Sequence, residues 1–598
     1  MAKALPTLPY SHRQCSDSIR RVATLSFCLG LLCAKTAPLP ADPLEVIPPN
    51  VIGVVKVERP TKLVDTAWML WNYIQPASPN YRRFQESAAW RRVQHMVRYV
   101  EKETGRGWKD LLFEVSGRGA ALVFFPTDPV GVALVLDGTS EPAVQRLYRV
   151  TIALIESEQN RQEKPDAKHT SVRRGVEVTG FGDNLFLAAY KSVFLVANRR
   201  TALDDLLDQV AGDPKHSFAY SNAYRQARPL IPDGSLVWAW QNLDIVKRDE
   251  NIKNLLALPS FFPPFHILFG GLLDVVHRSS FLVVSASQVD RDMVLELRLP
   301  AGSAGMRAPM QAHLARAAGK DTPLLPLLQP EHTVVSLSFC LDWAQLWRER
   351  SFLFPVDQLK VLEEFDKNSG RFLFGTRLGQ LLEMLGRRHR LVIAYTEPAY
   401  KRRPPNRLPG FALALELREP EAFARAIEAP LRTVGLLGSF GVDMQLIEEQ
   451  VDGERLIAYR FEENDKNQAI GDGVLFHFTP CFARVGNQFL LCSDMVLAKR
   501  LIPVLKAPGT ADAPAGTAVL AEFSFQGLAK LFEASQHYLV VQQVLEQGLP
   551  TQEAQEVVLR QLQFFSSQKN VRMQVLYEPH QYCQRLVWTL APSVKKDP

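Results

Sequence analysis

The residue types that carry out most enzyme chemistry are present in this chain, but their spacing matches no common active site. A serine nucleophile on a sharp strand-to-helix turn needs the pattern G-x-S-x-G, and the nearest string, Gly438-Ser439-Phe440-Gly441, lacks it. The sequence has no phosphate-binding loop, no G-x-G-x-x-G after a strand and no H-E-x-x-H. Its twelve histidines include no pair four residues apart that could hold a metal ion from one helix face. The sequence therefore predicts no catalytic residue, no metal site and no cofactor.

Two cysteines have a spacing that could support a covalent bond. In the segment from Cys481 to Cys492, a two-residue turn at Gly486-Asn487 would place these two cysteines opposite each other in a hairpin. Facing Cα atoms in an antiparallel ladder are ~4.5–5.5 Å apart, which lies within disulfide range. The pair is a candidate disulfide, and the alternative is two buried thiols that act as small apolar side chains. No C-x-x-C occurs, so the cysteines do not predict a zinc site.

One long segment is strongly apolar. Leu255–Leu273 has no charged residue, and Pro259, Pro263 and Pro264 exclude a continuous membrane helix. We consider two interpretations: a loop that packs over a sheet, or an apolar patch or pocket mouth that binds a lipid, a membrane surface or a partner chain. The candidate binding residues are its four phenylalanines: Phe261, Phe262, Phe265 and Phe269.

Export is predicted by the first 34 residues. Arg20-Arg21 precede an uncharged apolar run that ends at Ala34, too short to span a bilayer, and a cleavage site is expected between Ala34 and Ala41. The full chain has 598 residues, 46 % hydrophobic and 22 % charged, with a formal net charge of +6. This composition is typical of folded globular proteins, and the small, dispersed charge predicts no nucleic-acid partner.

Repeated segments predict a tandem duplication. Pro49 and Pro330 each precede a strand-like run, at an offset of 281 residues, and Pro232 and Pro514 do so at an offset of 282. Shorter matches follow in the same order between these anchors. A basic insertion in the second copy, Tyr400 to Pro409, is expected to protrude as a solvated loop, although an anion site is an alternative.

Each copy alternates strand hairpins with helical stretches, which predicts an α+β fold with antiparallel sheets and packed helices. The expected organisation is a signal peptide (1–34), a linker (35–46), module copy one (47–300), a second linker (301–329) and module copy two (330–598).

Three patterns together resemble a large family of secreted bacterial proteins that carry a domain of unknown function. They are "G-R…L-L…G" before a strand pair, V-F-L-V-A-N-R (193–199) before a Leu-rich helix, and the segment from Ser221 to Trp240. The resemblance implies an envelope location and duplicated α+β lobes, and it assigns no catalytic residue. Copy two lacks a counterpart of the Ser221 segment between Ile502 and Pro514.

The sequence thus favours an exported, non-enzymatic cell-envelope protein, periplasmic, envelope-associated or extracellular, with a binding or structural role. Its partner is unknown, and a lipid, a membrane surface and another envelope protein fit the apolar segment. The alternative is an envelope hydrolase whose active site has no recognisable motif.

Overall fold

The chain forms two units, each built from antiparallel strands and helices. The computed structural model describes residues 42–74, 84–161, 168–260, 262–317, 320–321, 323–397, 399–402, 404, 406–438, 441–507 and 509–590. The first unit comprises residues 42–242 together with Val283–Gln288, and the second comprises Leu243–Leu282 and the residues from Val289 onward. The predicted signal peptide, residues 1–34, lies outside the described residues.

The first unit is built on strands that alternate buried and partly exposed residues, as in the run Gly119–Phe125. Its strands are β1 (Gly53–Val57), β2 (Gly119–Phe125), β3 (Gly131–Asp137), β4 (Lys168–Arg173), β5 (Val176–Phe181), β6 (Leu185–Tyr190), β7 (Val193–Ala197), β8 (Val237–Asn242) and β9 (Phe281–Val289, of which Val283–Gln288 belongs to this unit). Antiparallel pairing gives the order β4-β5-β6-β7-β3-β2-β1-β8. The amide of Leu236, just before β8, donates to the carbonyl of Ala286 in β9.

The second unit has the larger set of strands. They are β10 (Asp292–Leu299), β11 (Arg316–Ala317), β12 (Lys320–Asp321), β13 (Thr333–Cys340), β14 (Leu385–Ala394), β15 (Gly410–Leu417), β16 (Met444–Val451), β17 (Glu454–Phe461), β18 (Cys481–Val485), β19 (Gln488–Cys492), β20 (Thr517–Ser524), β21 (Asn570–Tyr577) and β22 (Tyr582–Thr589). Antiparallel pairing gives the order β16-β17-β18-β19-β15-β14-β13-β20-β21-β22-β10, and β11 pairs with β12.

Nineteen α-helices lie in the described residues. They are α1 (Pro60–Ile74), α2 (Ala88–Thr104), α3 (Trp108–Ser116), α4 (Glu141–Arg161), α5 (Arg200–Val210), α6 (Asn222–Ala227), α7 (Leu243–Val246), α8 (Glu250–Leu256), α9 (Pro263–Arg278), α10 (Trp343–Arg348), α11 (Arg350–Leu353), α12 (Val356–Ser369), α13 (Leu378–Glu383), α14 (Pro420–Gly438), α15 (Asp465–Gln468), α16 (Met495–Lys506), α17 (Phe525–Ala534), α18 (Gln536–Gln547) and α19 (Thr551–Ser567). Short 3-10 helices include Pro43–Val46, Ala308–His313 and Ile470–His477. The chain therefore has the predicted α+β fold with antiparallel sheets.

Strands β1–β8 of the first unit and β13–β20 of the second pair in the same pattern. Within each set of eight, the first strand pairs with the second and the eighth, the second with the third, the third with the seventh, and the fourth to seventh form a meander. The helices α4 and α14 follow the third strand of each set, and α5 and α16 follow the seventh. This agreement is what the sequence offsets predict, although the duplication and the module boundaries stay predictions.

The predicted linker 301–329 forms part of a core. Met306, Met310 and Ala312 are buried in one apolar cluster with Leu299, Val275 and other residues of the second unit. The inserted loop also packs instead of protruding, because the ring of Tyr400 is buried and its hydroxyl donates to the carbonyl of Phe478 at 3.0 Å.

Candidate functional site: a helix with its apolar side outward

The apolar segment Leu255–Leu273 folds mainly as a helix and not as the loop that we considered. The helix α9 begins at Pro263, with Phe262 at its N-cap. Prolines are tolerated in the first helical turn because amides there need no partner within the helix. The amide of Phe262 donates to the hydroxyl of Ser260 at 3.1 Å, which fixes the entry into the helix.

The helix α9 has apolar residues on both sides, unlike an ordinary surface helix, whose outer side is polar: it buries Leu273 and Val275 and also exposes apolar side chains. Its buried side contains His266, 1 % exposed, and Asp274, fully buried. Leu268 is 64 % exposed and Phe269 49 %, and the N-cap residue Phe262 is 63 % exposed. We call Phe262, Phe265, Leu268 and Phe269 the α9 face.

Charged groups hold the inner side of α9 in place. Asp274 accepts a hydrogen bond from Arg278 Nε at 2.7 Å and another from Arg307 Nε at 2.5 Å. Arg278 also donates to the carbonyl oxygens of Gly302 and Ala304, at 2.6 and 2.8 Å. A buried carboxylate needs such partners, and rotating the helix to bury Leu268 would take Asp274 away from Arg307 and Arg278 away from its two carbonyl acceptors.

Two glycines allow the close approach of α9 to its support. A methyl group at Gly270 would overlap Met310 Sδ, and one at Gly271 would overlap the hydroxyl of Tyr577. His313 lies against the same turn of the helix, and burial lowers its pKa to about 4. Burial, and then the positive charge of Arg307, also lowers the pKa of His266. Both histidine rings are therefore neutral at pH 7 and add no charge to the inner side of α9. The charged groups described there are Asp274 and its two arginine partners.

A second apolar segment lies beside the first turn of α9. The amide of Ser260 donates to the carbonyl of Leu353 at 2.9 Å, which joins the residues just before α9 to the end of α11. Phe352, next to Leu353, is 59 % exposed, and Val356 at the start of α12 is 68 % exposed. The helix α12 buries only Ser369 among its residues. Further exposed apolar side chains follow there: Val361, Phe365, Phe372 and Phe374.

The structure brings together some of the phenylalanines that the sequence singled out. Phe265 is half-buried, and its ring centroid lies 5.0 Å from that of Phe269. Phe262 and Phe269 project outward, whereas Phe261 lies outside the described residues. That these residues bind a ligand or partner stays a prediction.

Sequence reasoning missed Leu268, Asp274 and Arg307. A helical wheel over 263–278 would have placed His266 and Asp274 on one side and Leu268 opposite them, but the prolines suggested a loop.

The two candidate disulfide residues face each other as the turn arithmetic predicts. Cys481 is the register partner of Cys492, both side chains are buried, and both are free thiols in the structure. The disulfide itself stays a prediction.

A pocket of about 660 Å³ in the second unit is the candidate active site for the alternative function, a hydrolase. Its lining includes Glu522, Ser524 and His332. Glu522 already accepts hydrogen bonds from Gln329, Asn570 and Arg572, at 2.7–2.9 Å. Ser524 caps α17 by accepting from the amide of Gly527 at 3.2 Å, and His332 lies 3.3 Å from Glu331. These contacts give each group a structural role.

No group of three histidine, cysteine, aspartate or glutamate residues in the described part of the chain could hold a metal ion. None of the helices described is both long and apolar enough to cross a bilayer.

Comparison with known proteins adds little. No family model matches the chain, and no curated protein sequence matches it significantly. Among solved structures, crystal form I of TP0453 is 12 % identical with a TM-score of 0.22, and the match covers 46 % of this chain and 89 % of that one. Crystal form III is 12 % identical with a TM-score of 0.22, over 47 % and 91 % of the two chains. Likenesses this weak carry no argument, and the resemblance to the secreted family stays a prediction.

Proposed function

We propose that this protein is an exported, non-enzymatic component of the cell envelope that attaches to a lipid surface through the α9 face. The observation that carries the proposal is the apolar outer side of α9, where Leu268 and Phe269 are exposed while Asp274 on the inner side is buried. Exposed apolar surface of this kind commonly marks an interaction site.

The corresponding helix of the other predicted copy supports a specific role for this face. Like α9, α19 is the last helix before a strand hairpin, here β21–β22. Its exposed residues are polar apart from Leu559, and they include Gln552, Glu553 and Glu556. A helix at this point of the fold therefore does not need an apolar outer side.

A lipid surface fits the α9 face better than a protein does. Protein interfaces combine an apolar centre with hydrogen bonds at about one per 100–200 Å². The outward side chains of the first two turns of α9 are Pro264, Leu268 and Phe269, which offer no side-chain donor or acceptor. Helices that lie in the membrane interface use Phe and Leu in this way and bury them ~5–10 Å deep.

Vesicle flotation tests the proposal. The mature protein is mixed with vesicles of phosphatidylethanolamine and phosphatidylglycerol and centrifuged through a sucrose gradient. We expect the wild type to float and Leu268→Ser/Phe269→Ser to stay at the bottom, while Leu559→Ser on α19 floats like the wild type. Leu559 is 45 % exposed, so this control removes a comparable apolar side chain.

Two outcomes would overturn the proposal. Failure of the wild-type protein to float would exclude attachment to these lipids, and equal flotation of all three proteins would exclude the α9 face. If the wild type does not float but forms dimers that the double substitution separates, a second copy of the chain and not a lipid is the partner. Light scattering measures the molar mass in each case.

A further inference from the structure

The hairpin β18–β19 carries two cysteines in facing positions. Cys481 and Cys492 are cross-strand partners, and the turn between the strands has Gly486 at its first position with a φ of 58°. A Gly with positive φ at the first position of a two-residue turn fixes this register. Slippage that would separate the cysteines would also carry the buried residues of both strands to the other face of the sheet.

The two cysteine side chains lie on the same face of the hairpin in the interior, because directly opposite residues of an antiparallel pair share a face. The Cys492 thiol donates to the carbonyl oxygen of Asp494 at 3.0 Å. The Cα atoms of a hydrogen-bonded antiparallel pair lie ~5.5 Å apart, which is near the commonest separation in disulfides. The Cα separation therefore lies within disulfide range. The Cβ atoms of such a pair are ~4.5–5.5 Å apart and those of a disulfide about 3.8 Å, so the bond requires a small approach of the two strands as well as a change of rotamer.

The fold does not require cysteine at these positions. In the first unit the equivalent hairpin β6–β7 pairs Phe186 with Ala197, so an apolar pair fills the same place. The other two cysteines of the described chain do not face each other: Cys340 ends β13, and Cys583 lies in β22 opposite Leu576 and Arg298.

We propose that Cys481 and Cys492 form a cross-strand disulfide, which makes this hairpin an oxidative modification site. Each thiol loses a proton and one S–S bond forms between them. The two electrons reduce an external disulfide, such as oxidised glutathione or a disulfide of an oxidoreductase, to two thiols. The proposal concerns the second unit alone and does not depend on the α9 face.

The bond forms most readily while the chain folds. Hydrogen bonding to Cys492 and burial raise the pKa of the Cys481 thiol well above its ordinary value, so little reactive thiolate exists once the sheet has closed. Oxidation is therefore expected to be faster during refolding than in the folded, reduced protein.

Tryptic mapping tests the proposal directly. Cleavage after Arg484 separates the two cysteines into the peptides 467–484 and 485–499. The reduced, denatured chain is refolded in a glutathione redox buffer, blocked with N-ethylmaleimide under denaturing conditions and digested without reductant. We expect the two peptides to be linked, with the maleimide on Cys340 and Cys583. The double variant Cys340→Ser/Cys583→Ser should give the same linked pair.

The outcomes that contradict the proposal are equally specific. Maleimide on both peptides after refolding in oxidised glutathione would show that no bond forms. A link from Cys481 or Cys492 to Cys340 or Cys583 would show that the facing pair is not the preferred one. Cys481→Ala, which keeps a small apolar side chain at this buried position, should fold and leave Cys492 labelled or glutathionylated.

Discussion

Asp274 and Arg307 are 33 residues apart and form a partly buried ion pair, with Arg307 Nε 2.5 Å from Asp274 Oδ1. Asp274 is fully buried, and Arg278 binds its other oxygen. The pair links α9 to the segment that the sequence predicts as a linker between the two copies. Through this contact an apolar helix face stays in solvent while a carboxylate stays in the interior.

Removing the carboxylate should destabilise the second unit. Asp274→Asn leaves Arg278 and Arg307 without a counter-charge, and breaking a buried pair by removing one partner typically costs about 3–5 kcal/mol. We expect a loss near the lower end of that range, because the two guanidinium groups are 20 % and 27 % exposed. Urea denaturation followed by circular dichroism measures it.

An exposed ion pair provides the control for this substitution. Lys530 and Glu533 are 2.8 Å apart and more than half exposed, so Glu533→Gln should leave the free energy of unfolding nearly unchanged. Equal effects of Asp274→Asn and Glu533→Gln would contradict the role given to Asp274.

Acid should weaken the packing beneath α9 through His313. Burial lowers the pKa of His313 from 6.5 to about 4, so the unfolded chain binds the proton more tightly than the folded one. The stability that the neutral ring provides is present above pH 6.5 and is lost as the pH falls toward 4. At pH 4.5 the loss is about 2–3 kcal/mol relative to pH 7.

The His313 contribution is separable from other titrations by comparing variants. His313→Gln should be less stable than the wild type at pH 7, and the difference in the free energy of unfolding should shrink at pH 4.5. Asp137 in the first unit, whose pKa burial raises to about 6, acts in the opposite direction but equally in both proteins. His216→Gln, whose side chain is 82 % exposed, controls for the loss of a histidine at the surface. A difference that is constant with pH would refute the assignment.

The buried cation Arg390 should be replaceable by apolar side chains. Arg390 is 3 % exposed and donates to Gln488 Oε1 at 2.5 Å and to the carbonyl of Pro326 at 3.3 Å, which are both uncharged acceptors. Burial, together with the charge of Arg388, lowers its pKa to about 10. Because buried ions cost much desolvation energy, Arg390→Met/Gln488→Leu should be as stable as the wild type or more stable.

The single variant Gln488→Leu gives the opposite result, because it leaves the buried guanidinium without its closest acceptor. We expect it to lose about 1–3 kcal/mol in urea denaturation. If the double variant is less stable than this single one, Arg390 contributes net stability and the prediction is wrong.

Local rules explain which parts of the fold could be predicted from the sequence. The register of β18 and β19 follows from a two-residue turn, because the turn fixes every cross-strand pair up to Cys481 and Cys492. Alternation and turn residues likewise predict the hairpin β21–β22 and the α+β class. These features depend on neighbours in the sequence.

Features that depend on distant contacts could not be predicted. The orientation of α9 is set by Arg307, and the packing of the inserted loop by the hydrogen bond from Tyr400 to Phe478, 78 residues away. The charge of the insertion suggested a solvated loop, but the tyrosine ring and this bond outweigh it. The prolines of α9 gave a misleading signal for the same reason. They suggest a loop when the contacts of Asp274 with Arg278 and Arg307 are not considered.

The most direct test of the account is the environment of residue 268 on a membrane. Leu268→Cys labelled with an environment-sensitive nitrobenzoxadiazole probe reports whether this position enters lipid. The mature variant has Cys340 and Cys583 replaced by serine and Cys481 and Cys492 by alanine, so that residue 268 carries the single reactive thiol, and Leu559→Cys on α19 in the same background is the matched control. We predict a blue shift and quenching by nitroxide-labelled lipid at position 268, and neither at 559, on adding vesicles of phosphatidylethanolamine and phosphatidylglycerol. An unchanged spectrum at 268, or the same shift at both positions, would contradict attachment through the α9 face.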